Sequence, residues 1–429
     1  MKISIIGGGS SYTPELIEGI INNKNIDIKE IVLCDIKDGQ EKLDIIYDLS
    51  RRMVKKANLD IKIKKTLDKK EAIENSSFVI SQIRVGGLKS RLNDEKIPLK
   101  YDLLGQETTG VGGFFKALRT IPVIFEICDY IEKYAKDAYL INFANPAGIV
   151  TQAVLKHKNT KVIGVCNVPI TMKNMISDLL KLDKNKLEIN FIGLNHFVYI
   201  HDIYYERRDI FDDLLKVLET KNINMKNIDD LKFDMDLLKS LRLIPCPYHK
   251  YFYMKDKMLK KQQISLKTNN LRANQVIKIE KDLFEVYKKN SLDEKPIELE
   301  KRGGSYYSDV AISLIDSISN DKRDIHVLNV LNNGVINSLP KDSVIETNCI
   351  VGKNGIKPIK NKYSKLNNVI GMLRSIKSYE DLTIESVYSK NKEKAILALI
   401  ENPLIVDYDK AKLVFEDMLE VNKKYIKFD

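Results

Sequence analysis

The sequence predicts an α/β fold, with a parallel β-sheet in the N-terminal part of the chain. Short apolar runs alternate with helical patterns over the first third of the 429 residues, which is typical of β-α-β units. A glycine-rich turn follows the first apolar run directly, and a helix start follows the turn. The apolar fraction of 44% is enough to build a large folded core.

Five strands are predicted in this part, each an apolar run that ends at polar or glycine residues. They fall within residues 2–6, 30–36, 77–87, 138–146 and 161–169. A helix is predicted after the first strand, with Thr13 as its cap and Pro14 at its first position, where a missing N–H costs nothing. The predicted strand, glycine turn and helix start are therefore contiguous in the sequence and form one unit.

The turn between the first strand and this helix has the features of a dinucleotide site. Gly7 and Gly9 let the backbone approach a pyrophosphate at the helix N-terminus, and Ser10 and Ser11 belong to the same turn. Asp35, at the end of the second strand, is suited to the ribose hydroxyls and favours NAD over NADP. The third glycine of the usual fingerprint is a tyrosine here, and a purely structural turn is the alternative. The prediction is a Rossmann-type NAD-binding domain.

The pattern changes near residue 185, where a long polar and apolar alternation predicts an antiparallel ribbon. We therefore divide the chain into an NAD-binding domain, residues 1–170, and a C-terminal α+β domain, residues 171–429. The second domain is expected to carry substrate, metal and oligomerisation surfaces. Further predictions are helices at 211–243, 309–334 and 383–425, and a loop followed by a helix at 273–300.

Composition excludes several classes of protein. The net charge of +11 comes from 70 Lys and Arg against 59 Asp and Glu, but the lysines are scattered and there is no Trp, which argues against nucleic acid. The sequence contains no run of 18 apolar residues, so no membrane span is predicted, and the first apolar run is too short for a secretory signal. The five cysteines are widely spaced and odd in number, which disfavours a disulfide framework. A cytoplasmic location is expected.

A cysteine and a histidine follow apolar runs near the predicted domain boundary. Cys166 lies in "VIGVCNVPI", and His196 lies in "GLNHF", next to Asn195. A thiolate and an imidazole suit a borderline divalent ion, and two protein ligands leave positions for substrate oxygens. A buried cysteine and a hydrogen-bonded core histidine explain the same residues, and spacing alone leaves both interpretations open.

Four other segments carry polar residues at predicted strand ends or turns. They are "GQETTG" (105–110), "NFANPAG" (142–148), "IPCPYHKYFYM" (244–254) and "EKRGGSYYSDVA" (300–311). The last of these contains Arg302 on a glycine turn before a helix, a possible anion site. Each segment taken alone also has a structural explanation.

In this order the motifs resemble glycoside hydrolase family 4, and within it the branch that acts on 6-phospho-β-glucosides. The resemblance spans nearly the whole chain, through "GGGSSYTPELI", "IRVGGLKSRLNDEKIPLKY", "GQETTGVGG", "NFANPAGIVT", "GVCNVP", "GLNH", "PYHKYFY", "RGGSYYS" and "NNGVINSLPKDSVIE". It implies the architecture of lactate and malate dehydrogenases. The substrate class implied is a phosphorylated β-glucoside such as cellobiose 6-phosphate.

The resemblance also implies an unusual glycosidase chemistry, in which NAD replaces the usual pair of carboxylates. The cofactor takes a hydride from C3 of the sugar, and a divalent metal, expected to be Mn²⁺, polarises the resulting ketone. A tyrosine then removes the C2 proton, the aglycone leaves, water adds at C1, and the hydride returns to C3.

Residue roles carry over position by position from the resemblance. Cys166 and His196 match the metal ligands, and Tyr248 matches the general base. A free tyrosine has a pKa of about 10, and Glu107 matches the acidic residue that raises its basicity. The acid for the leaving group is not identified, with water and Glu107 as candidates.

The substrate residues implied are Arg91, Asn145 and Asn167, together with Arg302 for the 6-phosphate, whose oxygens fit a planar guanidinium. The α-glycoside branch carries aspartate after the metal cysteine. Asn167 at that position supports the β branch, because an amide has no proton to give near neutral pH.

Two other functions remain open at this stage. One is an NAD-dependent 2-hydroxyacid dehydrogenase, which would need a catalytic histidine with an acidic partner and no metal. The other is a non-catalytic sensor of sugar phosphates or dinucleotides. By analogy, a homodimer or homotetramer is expected.

Overall fold

A computed structural model describes residues 1–303 and 306–428, and within them the strands form one mixed sheet. The strands are β1 Lys2–Ile6, β2 Glu30–Cys34, β3 Lys62–Thr66, β4 Phe78–Ser81, β5 Tyr139–Asn142, β6 Lys161–Gly164, β7 Leu187–Leu194, β8 Phe197–Tyr205, β9 Arg208–Asp209, β10 Ile244–Pro245, β11 Asp324–Leu331, β12 Val344–Gly352 and β13 Gly355–Pro358.

Helices cover both faces of this sheet. They are α1 Thr13–Asn22, α2 Gln40–Lys56, α3 Lys69–Ile73, α4 Gly87–Lys96, α5 Gly110–Tyr134, α6 Ala147–His157, α7 Val168–Leu180, α8 Phe211–Leu218, α9 Met235–Leu241, α10 Lys250–Tyr253, α11 Lys255–Lys267, α12 Arg272–Tyr287, α13 Tyr307–Ser319, α14 Ile370–Ser389, α15 Lys392–Glu401 and α16 Tyr408–Asn422.

The first six strands are parallel and lie in the order β3-β2-β1-β4-β5-β6. This is the strand order of dinucleotide-binding folds, and it confirms the predicted Rossmann-type sheet. The order reverses between β1 and β4, so a crevice forms beyond the carboxyl ends of these two strands. The predicted glycine turn lies at that edge.

The sheet continues beyond β6 with antiparallel strands, in the order β11, β12, β7, β8 and β10. The predicted ribbon is present as the β7–β8 hairpin. The division of the chain at residue 170 stays a prediction, because one sheet runs through both halves.

Alternating side chains of the strands build a core on each face of the sheet. Ile31 and Leu33 of β2 pack in the layer with α1, α2 and α13, whereas Val32 and Cys34 pack in the layer with α5, α6 and α16. All four are almost fully buried. At about 1.5–3 kcal/mol for each buried aliphatic side chain, the two layers dominate the stability of the fold.

The structure corrects several element predictions. Thr13 is not a side-chain cap but the first residue of α1, and its hydroxyl donates to the carbonyl of Gly8 at 2.9 Å. The predicted helix 309–334 is a helix, α13, followed by strand β11, and 273–300 is a helix followed by an irregular segment. Strand β3 was missed because "KIKKT" is rich in lysine, which suits a strand at a sheet edge.

Of the helices that the structure describes, none is long and apolar enough to cross a membrane.

Candidate active site

The glycine turn after β1 is held by backbone hydrogen bonds. The N–H groups of Gly7 and Gly8 both donate to the carbonyl of Cys34, at 2.9 and 2.8 Å. Gly7 has φ of +86°, a conformation that favours glycine, and a Cβ on Gly9 would lie 2.9 Å from the backbone nitrogen of Leu43. Both glycines are therefore required for the close packing of this turn, and a tight glycine turn before a helix is the form that dinucleotide-binding folds use.

Asp35 completes this turn. Its Oδ2 accepts the N–H of Gly9 at 2.8 Å, and its Oδ1 accepts the N–H of Ile36 at 2.8 Å. Burial raises the pKa of the Asp35 carboxyl above its usual range. The Ser10 hydroxyl accepts the N–H of Tyr12 at 3.3 Å, and Ser11 is buried, with its carbonyl accepting the hydroxyl of Tyr287 at 2.8 Å. The structure therefore brings all five predicted cofactor residues to one turn.

Glu107 lies in a ring of three cations beyond the same edge of the sheet. Its Oε1 pairs with Nη1 of Arg91 at 3.0 Å, its Oε2 pairs with Nζ of Lys116 at 2.9 Å, and Arg84 donates to the same oxygen. Despite burial, these cations hold the pKa of Glu107 well below its usual range. Glu107 is thus a carboxylate at neutral pH, which removes it as a candidate acid for the leaving group.

Burial and neighbouring charges also lower the pKa values of Lys116 and His196. Burial and the neighbouring Arg84 lower the pKa of Lys116 to about 7. Burial, followed by the charge of Lys116, lowers the pKa of His196 to about 3. His196 is therefore a neutral imidazole at physiological pH, the form that binds metal ions.

Tyr248 and His196 form the centre of the candidate site. Their rings are stacked, with centroids 3.8 Å apart and planes inclined by 5°. His196 lies in the turn between β7 and β8, and Tyr248 lies just after β10, which pairs with β8. Burial raises the pKa of the Tyr248 hydroxyl well above its usual range, the neighbouring Cys166 adds to this rise, and the side chain of Thr108 opposes it.

Cys166 follows β6 and precedes α7, and it is 7% exposed. Burial raises the pKa of its thiol well above the usual range, the Glu346 carboxylate adds to this rise, and a hydrogen bond with the Asn195 side chain opposes it. Cys166 and Tyr248 belong to the same buried cluster, so the thiol lies near the stacked pair. Residues 166, 196 and 248 thus come together from three separate segments, and their roles stay predictions.

The donor set fits a metal that the substrate helps to bind. Nδ1 of His196 is buried, and no residue in 1–303 or 306–428 supplies it with a hydrogen-bond partner. Among those residues, no group of three or more Cys, His, Asp or Glu side chains could enclose an ion. Two protein ligands with open positions are typical of catalytic rather than structural metal sites.

The other predicted substrate residues lie around this centre. Asn145 follows β5 and precedes Pro146, to which it is joined by a cis peptide bond, and Asn167 is the residue before α7. Arg91 on α4 is shared between Glu95, at 2.8 Å, and Glu107. All of them lie at or near carboxyl ends of the parallel strands.

Arg302 is 3% exposed and lies on the cofactor side of the site. Its guanidinium is 3.6 Å from Glu280 and 5.2 Å above the Tyr12 ring. Within the described part of the chain, its Nε has no hydrogen-bond partner. Gly304 and Ser305 of the same motif lie outside the described residues.

Sequence reasoning missed Lys116, Thr108, Asn329 and Glu346. Thr108 lies within the "GQETTG" segment and Lys116 follows it, and the glycine-rich composition of this stretch was the available signal. Glu346 opens three consecutive polar residues, "ETN", inside the apolar strand β12. A polar run in an otherwise apolar strand predicts a buried network, and here it was overlooked.

The chain belongs to glycosyl hydrolase family 4. The model of the family 4 glycosyl hydrolases matches residues 2–182, and the model of their C-terminal domain matches residues 191–405. A 6-phospho-beta-glucosidase of Escherichia coli (strain K12) is 42% identical over 99% of this chain and 96% of that protein.

Solved structures give the same family and fold. A 6-phospho-beta glucosidase of Thermotoga maritima, determined with manganese, NAD⁺ and glucose-6-phosphate, has a TM-score of 0.90 and 38% identity, with all of both chains covered. A lactate dehydrogenase from a deep-sea metagenome library has a TM-score of 0.55 at 15% identity, covering 90% of this chain and 98% of that one. The second likeness shows the fold alone, and it confirms the predicted dehydrogenase-like architecture.

Proposed function

We propose that this chain hydrolyses 6-phospho-β-glucosides with NAD⁺ and a divalent metal, expected to be Mn²⁺, as cofactors. The observation that carries the proposal is the stacking of Tyr248 on His196 with Cys166 in the same site, since a base and two metal ligands meet there. The relatives with this activity, aligned over nearly the full length of the chain, support it.

The turn formed by Gly7, Gly9, Ser10 and Ser11 would hold the pyrophosphate of NAD⁺, and Asp35 would hold the ribose. When bound, the dinucleotide supplies a hydride acceptor at C3, and the metal on Cys166 and His196 polarises the sugar oxygens. Support comes from the closely packed glycines of the turn and from the buried imidazole of His196, whose Nδ1 has no hydrogen-bond partner among the described residues.

Tyr248 is proposed as the base that takes the C2 proton at its Oη. Stacking on His196 fixes the plane of its ring, and the side chain of Thr108 lies beside the phenol oxygen. Burial opposes ionisation of this phenol, and a divalent cation next to the ring would act in the opposite direction. The anionic Glu107 contributes by charge rather than by a hydrogen bond, because its own partners are cations.

Arg91, Asn145 and Asn167 are proposed to contact the sugar, and Arg302 the 6-phosphate. The unpaired Nε of Arg302 among the described residues supports this role, since a planar guanidinium binds phosphate through paired donors. Replacement by lysine should raise KM for the phosphorylated substrate more than it lowers kcat.

The enzyme is proposed to act in the cytoplasm, where sugars phosphorylated on uptake would reach it, and to form a homodimer or homotetramer. Leu397, Tyr408 and Leu413 on α15 and α16 are large, partly exposed apolar side chains, which supports association of copies. Light scattering on the purified protein tests the oligomeric state.

One assay tests the function. We expect p-nitrophenyl β-glucoside 6-phosphate to be hydrolysed only when NAD⁺, Mn²⁺ and a thiol reductant are all present, without net NADH. Steady NADH production from a 2-hydroxyacid would instead identify a dehydrogenase. Tight binding of glucose 6-phosphate and NAD⁺ without turnover would identify a sensor.

Two substitutions test the residues. Tyr248→Phe should abolish turnover while NAD⁺ binding is retained, and Tyr251→Phe, a neighbouring buried tyrosine, is the matched control. Cys166→Ser should weaken Mn²⁺ binding, because a hydroxyl is a poorer ligand than a thiolate. An active Tyr248→Phe enzyme would remove the tyrosine from the mechanism.

A further inference from the structure

A row of residues crosses four strands between the two proposed metal ligands. In the sheet register, Gly164 of β6 pairs with Asn329 of β11, Asn329 pairs with Glu346 of β12, and Glu346 pairs with Gly193 of β7. Cys166 comes two residues after Gly164, and His196 comes three residues after Gly193. The row therefore spans the gap between the strands that carry the ligands.

Side-chain hydrogen bonds connect this row to the site. Nδ2 of Asn329 donates to Oε1 of Glu346 at 3.0 Å, and Nδ2 of Asn195 donates to the same oxygen at 3.3 Å. The Asn195 side chain in turn lies beside the Cys166 thiol, and its Oδ1 accepts the N–H of Gly148 at 3.4 Å. Oε1 of Glu346 thus binds the side-chain amide of Asn195, which lies between Cys166 and His196.

The space around the row leaves little freedom for these side chains. Glu346 and Asn329 are completely buried. A Cβ on Gly164 would lie 2.8 Å from Cβ of Asn329, and a Cβ on Gly148 would lie 2.9 Å from Cβ of Asn195. Each amide therefore packs against a glycine, and its side chain has few alternative positions.

The structure assigns Glu346 as a positioning residue that, through Asn195 and Asn329, sets the relative placement of Cys166 and His196. This inference rests on the proposed metal site and extends it to a side chain outside the ligand pair. A buried carboxylate is costly unless it is hydrogen bonded. Outer-shell partners of metal ligands orient them, and their loss commonly reduces metal affinity 10–100-fold.

The test measures Mn²⁺ binding directly, by the electron paramagnetic resonance signal of free Mn²⁺ in titrations of the full-length protein. Glu346→Ala removes the shared acceptor and should weaken Mn²⁺ binding by about 10–100-fold. Glu346→Gln keeps Oε1 as an acceptor for both amides and should stay within about threefold of wild type, since its partners are retained. In both variants NAD⁺ affinity, measured by calorimetry, should remain unchanged.

A matched control separates positioning from general damage to the strand. Thr347 is the next residue of β12, is fully buried, and donates to the carbonyl of Phe191 at 3.2 Å from the opposite face of the sheet. Thr347→Val should retain wild-type Mn²⁺ affinity. If Glu346→Ala does not fold, Asn329→Ala takes its place, and it should weaken Mn²⁺ binding at least fivefold.

The inference is overturned if Glu346→Ala, or Asn329→Ala in its place, folds and binds Mn²⁺ as wild type does. It is also overturned if Glu346→Gln loses as much affinity as Glu346→Ala, which would make the charge rather than the geometry responsible. Equal loss in Thr347→Val would reject it too. A wild-type protein that does not bind Mn²⁺ would instead reject the proposed metal site itself.

Discussion

Glu107→Gln tests whether one buried carboxylate holds the cation ring together. The change removes the negative charge that the ring shares: Arg91 keeps Glu95 as a partner, whereas Lys116, about 95% buried, has no other carboxylate partner among the described residues. Breaking a buried ion pair by removing one partner costs about 3–5 kcal/mol of unfolding free energy. With an unfolding entropy of about 2.1 cal/mol/K for each residue, a chain of this length should lose roughly 3–6 °C in Tm.

The measurement is differential scanning calorimetry of ligand-free protein at pH 7.5. Asp27→Asn, which removes the partner of Lys29 in a fully exposed pair, is the control and should leave Tm unchanged. Adding Lys116→Met to Glu107→Gln removes a buried amine that has lost its anionic partner, and should restore about 1–3 kcal/mol. The reasoning is refuted if Glu107→Gln keeps the wild-type Tm, or if Lys116→Met lowers the Tm of that variant further.

Three further predictions follow from the same geometry. Lys116 has a pKa of about 7 in the folded protein, below its ordinary value, so above pH 7 the unfolded chain binds more protons at this residue. Its contribution to stability therefore becomes more favourable from pH 7 to 9, and the Tm of wild type relative to that of Lys116→Met should rise across this range. Asp35→Ala removes the acceptor of the Gly9 N–H, so one charge-assisted hydrogen bond is lost. NAD⁺ binding, measured by calorimetry, should weaken about tenfold, while Mn²⁺ affinity stays at the wild-type value. Gly164→Ala would place a Cβ 2.2 Å from Oγ1 of Thr151 and should lower Tm, and Thr151→Ala in the same chain should recover part of the loss; an unchanged Tm would contradict the packing.

The sequence predicted the parallel half of the sheet because its strands carry local signals. Strand β1 was predicted with its observed bounds, and the helix after the glycine turn begins at Thr13, one residue before the predicted first position at Pro14. Strand β11 was predicted as part of a helix, since "HVLNVL" continues the apolar spacing of α13, and the three consecutive buried residues 328–330 show no alternation of buried and exposed positions. Local pattern therefore failed where consecutive buried residues removed the period-two signal.

The candidate site was predictable only in part. Cys166, His196 and Tyr248 were named from motifs, and the structure brings them together. The cation ring around Glu107 and the acceptor at Glu346 were not, because both depend on contacts between segments far apart in the chain. Such pairings are set by tertiary packing, and one sequence without aligned relatives carries no trace of them.

The placement of β11 and β12 between β6 and β7 has a consequence for biosynthesis. A ribosome releases residues 166 and 196 well before residues 324–352, yet the later hairpin is what fills the gap between their strands. Until it arrives, β6 and β7 each present an open edge to other chains. If Cys166 and His196 bind the metal as we propose, metal affinity requires this later hairpin, and a nascent chain that stalls near residue 300 would carry both residues without the strands that align them.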